Sequence, residues 1–119
     1  MFSKTNGFRH SSIPNGKDAI QKLGKENGFA VDVTEDSLVF TEDNLKKYSA
    51  VIFLNTTGNI LGNKQEAAFE RFIQAGGGYL GIHSATDTEY DWIWYAKLVG
   101  GKFQTHAKPQ NAKVGLNFS

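Results

Sequence analysis

Ala50-Val51-Ile52-Phe53-Leu54, followed by Asn55-Thr56-Thr57-Gly58-Asn59, is the stretch on which the fold turns. Five consecutive apolar residues leave no polar face, so they read as a parallel strand covered on both sides. The polar, Gly-containing run behind them reads as the loop at that strand's carboxyl end. Tyr79-Leu80-Gly81-Ile82-His83 predicts a second central strand by the same argument. Between the two, Asn63 with Glu66 three positions later is a capping-box-like helix start. Ala68, Phe69, Phe72 and Ile73 supply an apolar stripe at helical spacing, and Gly76-Gly77-Gly78 supplies the stop. Strand, helix and strand in this order specify a parallel pair joined by a right-handed crossover.

The pattern extends in both directions. Upstream, Ser11 or Ser12 caps a helix with Pro14 in its first turn, Ile20 and Leu23 on one face and Asn27-Gly28 at its end. Phe29 to Thr34 alternates as a half-buried edge strand, and Thr41 with Glu42 and Asp43 starts a short helix. Downstream, a helix is expected around Trp92 to Leu98, a weak strand near Phe103, and a loop with one strand over residues 107–119. These elements make an α/β domain with a doubly wound parallel sheet of strand order 2-1-3-4, whose ligands bind beyond the strands' carboxyl ends. Only Met1-Phe2 stand where a first strand belongs, and no last helix follows. Residues 1–119 are therefore expected to form a single domain that is a fragment of a longer one, unfinished at both ends. Its uncovered sheet face is expected to meet a second copy of the chain or a partner chain.

Composition narrows the chemistry. Thirteen basic against twelve acidic residues give a net charge of +1, which offers no field to recruit nucleic acid or a membrane surface. The absence of Cys excludes disulfides, thiolate metal sites and a cysteine nucleophile. No basic-then-apolar leader is evident, so the chain as given is expected in the cytoplasm, or in the periplasm or medium if an upstream signal peptide has been lost.

All three His fall in loops or strand ends on the ligand side of the expected sheet. His83 closes the Gly-rich strand, either as general base or metal ligand or as a helper that bonds a loop carbonyl. Asp87 and Glu89 lie near enough to orient it, with capping the competing role for Asp87. His10, with Arg9 and Asn6 before it, could position a hydroxylated or anionic ligand; Thr57 and His106 come from the other loops. His10, His83, His106 and Asp87 compose a His/carboxylate set able to hold a metal, although no local spacing supports it and no cofactor is required. A triad of Ser84, His83 and Asp87 is a weak alternative, because neighbours at one turn rarely reach the needed geometry. Tyr90, Trp92, Trp94 and Tyr95 offer stacking faces for a sugar, with part of the set expected in the core.

The segments Phe2 to Pro14, Val51 to Gly58, Ala68 to Ala75 with its Gly triplet, and Gly81 to Thr88 together resemble the ThuA-like, or trehalose-utilisation, domain. The resemblance implies a three-layer flavodoxin-like sandwich of the class I glutamine amidotransferase-like superfamily. It also implies a role in carbohydrate metabolism on trehalose, related disaccharides or keto-sugars. The catalytic centre is then expected at His83, Asp87 and His10, with Asn6, Arg9, Thr57, Trp92, Trp94 and His106 binding the sugar. Gly81-Ile82-His83-Ser84-Ala85 resembles the elbow that carries the nucleophilic Cys of the amidotransferases, but with His in its place. Imidazole cannot supply thiolate chemistry, so glutamine hydrolysis is not expected. A non-catalytic carbohydrate-binding or regulatory module is the alternative. A flavodoxin-like carrier, with Ser3 to Gly7 cradling a phosphate, is a third reading.

Overall fold

Six regular elements organise the computed structural model of the chain, which describes residues 1–117. They are the helices α1 (Ile13–Asn27), α2 (Glu42–Leu45), α3 (Asn63–Gln74) and α4 (Ile93–Val99), and the strands β1 (Ala50–Leu54) and β2 (Gly78–Ile82). β1 and β2 are parallel, in register from Ala50 opposite Gly78 to Leu54 opposite Ile82, with α3 as the crossover. Val51, Phe53 and Leu54 of β1 are buried, as a strand with no polar face requires. β2 is less covered than its composition predicts. None of its residues is fully buried, and Leu80 is 52% exposed.

The amino terminus enters beside β1. Phe2 makes single parallel bridges to Phe53 on one side and Thr34 on the other. Its amide donates to the Ile52 carbonyl at 2.8 Å, and the Leu54 amide donates to the Phe2 carbonyl at 2.9 Å. The expected edge strand from Phe29 to Thr34 is reduced to that one bridge. Beyond the Phe29 amide, which donates to the Gly24 carbonyl, its backbone is paired with Met1 to Ser3, and alternation without a long partner does not make a ladder.

Helix ends also differ from expectation in detail. α1 starts after Ser12, but the Ser12 hydroxyl does not cap it; instead it accepts from Asn55 Nδ2 at 2.9 Å. Leu23 lies outward while Ile13 and Gly24 are buried, and Gly28 ends the helix in the left-handed conformation. Thr41 caps α2 as expected, accepting from the Asn44 amide at 3.2 Å. In α3 the cap is Gly62, so Asn63 is the first helical residue and makes no capping box. Phe103 forms no strand, residues 107–117 carry none, and Phe118 and Ser119 lie outside the described residues. Among the described residues no helix is long and apolar enough to cross a membrane.

The core is aromatic. Phe53 stacks on Phe69 at 5.3 Å between centroids and on Tyr95 at 5.8 Å, while Phe2 and Phe40 meet edge-on at 4.8 Å. Each such pair adds roughly 0.5–1.5 kcal/mol beyond the area it buries. Trp92 and Trp94 are half-buried and pack against this core. They stack on each other at 5.0 Å and meet Phe69 edge-on at 6.4 and 6.0 Å.

Candidate functional site

Three loops at the carboxyl end of the sheet are stitched together by buried and half-buried hydrogen bonds. The Asn6 amide donates to the Thr57 carbonyl at 2.8 Å. The Thr57 hydroxyl donates to the Phe8 carbonyl at 2.8 Å and accepts from the Gly7 amide at 3.2 Å. On the other side, the Gly58 amide donates to the Asp87 carbonyl at 2.8 Å and the Glu89 amide to the Gly58 carbonyl at 3.1 Å. The Thr88 hydroxyl donates to the Ser84 carbonyl at 3.2 Å and lies 2.9 Å from that of Thr56. The hydroxyls of Thr56, Thr57 and Thr88 belong to buried residues, where each bond replaces one that solvent no longer supplies.

His83 opens a 3-10 turn, His83–Thr86, at φ +53°. Non-Gly residues adopt this left-handed conformation only where their surroundings hold them in it. The hold comes from below. Buried Tyr95 donates to the Ala85 carbonyl at 2.7 Å and is itself 2.8 Å from the Tyr79 hydroxyl. Burial first, and then Tyr79, pushes the Tyr95 phenol well above its ordinary value, so it stays a neutral donor.

Above the turn lies a cavity of about 480 Å³ lined by Phe8, His10, His83, Ser84, Thr86, Asp87, Phe103 and His106. All three imidazoles of the chain thus border one space. His10 and His83 meet edge-to-face at 4.5 Å between ring centroids, and Phe8 packs edge-on against His10 at 4.9 Å. The Tyr90 hydroxyl sits between Asp87 Oδ1 and the Phe103 carbonyl, 2.7 Å from the latter, and so fixes the segment that brings Phe103 and His106 over the cavity. Desolvation first, and then the Asp87 carboxylate, pushes that phenol up to about 12. The Phe103 amide, donating to the Thr86 carbonyl at 2.9 Å, holds the same segment from the other end.

The other sequence-predicted residues do not line this cavity. Arg9 pairs with Glu35, from Nη2 to Oε1 at 2.8 Å and Nη1 to Oε2 at 3.2 Å, and Lys17 joins at 2.7 Å. The Arg9 hydrogen bond foremost, with Lys17 behind it, holds the Glu35 carboxyl at about 2. Asn6 is turned onto the Asn59 carbonyl. Thr57 is fully buried as the tie between two loops, and Trp92 and Trp94 pack half-buried against the core. Glu89 is drawn away from His83. Its Oε1 accepts from the Ile60 and Leu61 amides at 2.7 Å each, beside Glu66. Among the described residues no three His, Asp or Glu side chains converge closely enough to hold a metal ion, so the His/Asp set does not form one. The phosphate-cradle reading of Ser3 to Gly7 also fails, because the Ser3, Asn6 and Gly7 amides donate to Thr34 and Thr57.

Phe8 and Phe103 are the lining residues that spacing did not single out. Phe8 was legible in principle as a lone aromatic in a polar loop, and it is 70% exposed. Phe103 carried only a strand-like signal.

A family model described as ThuA, trehalose utilisation, matches residues 1–118. No curated protein matches the chain. Among solved structures the chain is similar to one described as ThuA-like, from Bacteroides uniformis ATCC 8492, with a TM-score of 0.69 and 28% identity over 84% of this chain. The chain spans 42% of that protein's length.

Proposed function

Because the chain belongs to the ThuA family, trehalose utilisation, we propose that the cavity of His10, His83 and His106 binds a sugar of the trehalose class. The carrying observation is the convergence of three imidazoles and Asp87 on one cavity walled by the rings of Phe8 and Phe103. Imidazoles present a donor and an acceptor at separate nitrogens, which suits hydroxyl groups, and aromatic faces suit the C–H face of a pyranose. The stacking role expected of Trp92 and Trp94 passes to Phe8 and Phe103. The His10–His83 pair is also the place for acid–base chemistry on a bound sugar.

A flavodoxin-like, doubly wound layout belongs to this proposal. It is supported by the parallel bridges that order Thr34, Phe2 and Phe53 across the sheet before β2. Binding without turnover is the second reading. It is favoured by one feature: among the described residues, no carboxylate hydrogen-bonds His10 or His83, so neither ring has the orienting partner that a general base usually has.

Calorimetric titration with trehalose tests the proposal. His10→Ala is expected to weaken binding about tenfold or more, the scale of one lost polar contact to the ligand. Arg9→Ala, whose side chain is held by Glu35, should leave affinity within about twofold. An absence of heat with the wild-type chain, or equal affinity in His10→Ala, removes the reading. A parallel assay for product separates processing from binding alone.

A further inference from the structure

Gly81 lies in β2 two residues after Tyr79, on the same face of the strand. A β-carbon there would stand 2.6 Å from the Tyr79 hydroxyl and 3.1 Å from Ala85 Cβ. The Tyr79 ring thus lies along its own strand over the glycine, and its hydroxyl reaches that of Tyr95 at 2.8 Å. Any side chain at 81 would push it away. Tyr95, from α4, is buried, and its hydroxyl also lies 2.7 Å from the Ala85 carbonyl, inside the turn that His83 opens. The proton count gives this chain of groups a direction. A phenol has one proton and a carbonyl can only accept, so Tyr95 donates to Ala85 and Tyr79 donates to Tyr95. Burial is the foremost cause that raises both phenols above their ordinary value, so both stay protonated donors.

We infer that Tyr95, with Tyr79 behind it, is a positioning residue for His83: the two hydroxyls fix the turn from the core and so hold the His83 ring against His10. Among the described residues no carboxylate bonds the His83 imidazole, so its placement falls to the backbone that carries it, at φ +53°, and to the His10 ring 4.5 Å away. The relay acts on that backbone two residues beyond His83, through the Ala85 carbonyl. Neither tyrosine lines the cavity, so both act on it through the turn alone. That the cavity takes a sugar rests on the function proposed above. The relay and the ring pair it holds do not.

The test uses NMR of the 119-residue chain, whose three His are told apart by His10→Ala, His83→Ala and His106→Ala. Wild type should show a nuclear Overhauser cross-peak between the His10 and His83 rings, as their 4.5 Å separation requires. Its absence overturns the inference at the outset. Tyr95→Phe should shift the His83 ring signals and lose the cross-peak. Tyr79→Phe, which leaves the bond to Ala85 in place, should shift the same signals less and weaken the cross-peak. Phe40→Leu controls for stability alone, because Phe40 packs on Phe2, Phe53 and Phe69 and bonds nothing in the turn. It should lower the unfolding temperature and leave the His83 signals and the cross-peak as in wild type. Unmoved His83 signals in Tyr95→Phe overturn the inference, and so does an equal displacement in Phe40→Leu. If Tyr95→Phe does not fold, Tyr79→Phe decides, and unmoved signals there overturn it. Trehalose titration bears on the sugar reading separately: if wild type binds none, that reading falls, and the ring signals still decide the relay.

Discussion

His83 combines two properties that substitution can separate: an imidazole on the cavity wall and a backbone at φ +53°. For an L-residue this conformation brings the β-carbon against the following carbonyl and costs roughly 1–2 kcal/mol, whereas Gly adopts it without that cost. His83→Ala keeps the strain and His83→Gly releases it, so denaturant unfolding should find the Gly variant about 1 kcal/mol more stable than the Ala variant. Both lose the ring, and both should lose trehalose affinity together. Equal stability in the two would mean that the turn relaxes once the ring is gone. At this scale the sequence was informative about His10, His83, Asp87 and His106, because strand ends in a parallel α/β sheet fall on one side. It pointed equally to Arg9, Thr57, Trp92 and Trp94, none of which lines the cavity. A polar or aromatic side chain near the site can be turned to Glu35, to a neighbouring loop or to the core, and spacing along the chain does not record which.

Among the elements, the loops matter more to the cavity than the strands. Gly58 sits where the first loop passes the second, at φ +75°, with a position for a β-carbon that would lie 3.2 Å from the Gly7 amide nitrogen and 3.2 Å from Asn6 Cβ. Its amide and carbonyl also hold Asp87 and Glu89. Gly58→Ala therefore meets both backbone strain and crowding, and a loss of roughly 1–3 kcal/mol is expected in denaturant unfolding. The looser loops should also weaken trehalose binding. Wild-type stability in this variant would show that the three loops are not one unit. β1 was readable to the residue because burial on both faces leaves a continuous apolar run, a signal internal to the segment. The Phe29 to Thr34 segment was misread because a strand at an edge exists only through its neighbour, and here that neighbour pairs at Phe2 alone. The α3 cap was misplaced by one residue for a related reason. The carbonyl of Gly62, accepting from the Glu66 amide at 2.9 Å, starts the helix without any side-chain signal.

For the molecule as a whole, two carboxyl groups shifted in opposite directions shape stability. Glu35, held at about 2 by Arg9 and Lys17, is ionised in the folded chain while its unfolded counterpart takes a proton near 4.5. Its contribution is complete above about pH 4.5 and is lost as pH falls toward 2. Glu66 behaves in the opposite sense. Burial first, and then the hydrogen bond and charge of Glu89, raises its carboxyl from 4.5 to about 7. Between those values the folded chain binds the extra proton, so stability falls as pH rises across the window. The two slopes together place the maximum near the unfolded carboxylate value, on the acid side of neutrality. Urea midpoints at about pH 3, 5 and 8 should be highest at the middle value. Glu66→Gln should flatten the fall between the upper two, and Glu35→Gln the rise between the lower two. A midpoint that keeps rising to about pH 8 in the wild-type chain would mean that the Glu66 carboxyl is not raised in the folded chain. Glu89 accepts from the loop that runs from β1 into α3 and is anchored two residues after Asp87, so the upper slope also reports on the scaffold behind the cavity. If ionising Glu66 loosens that scaffold, trehalose affinity should decline over the same interval in wild type and stay level in Glu66→Gln.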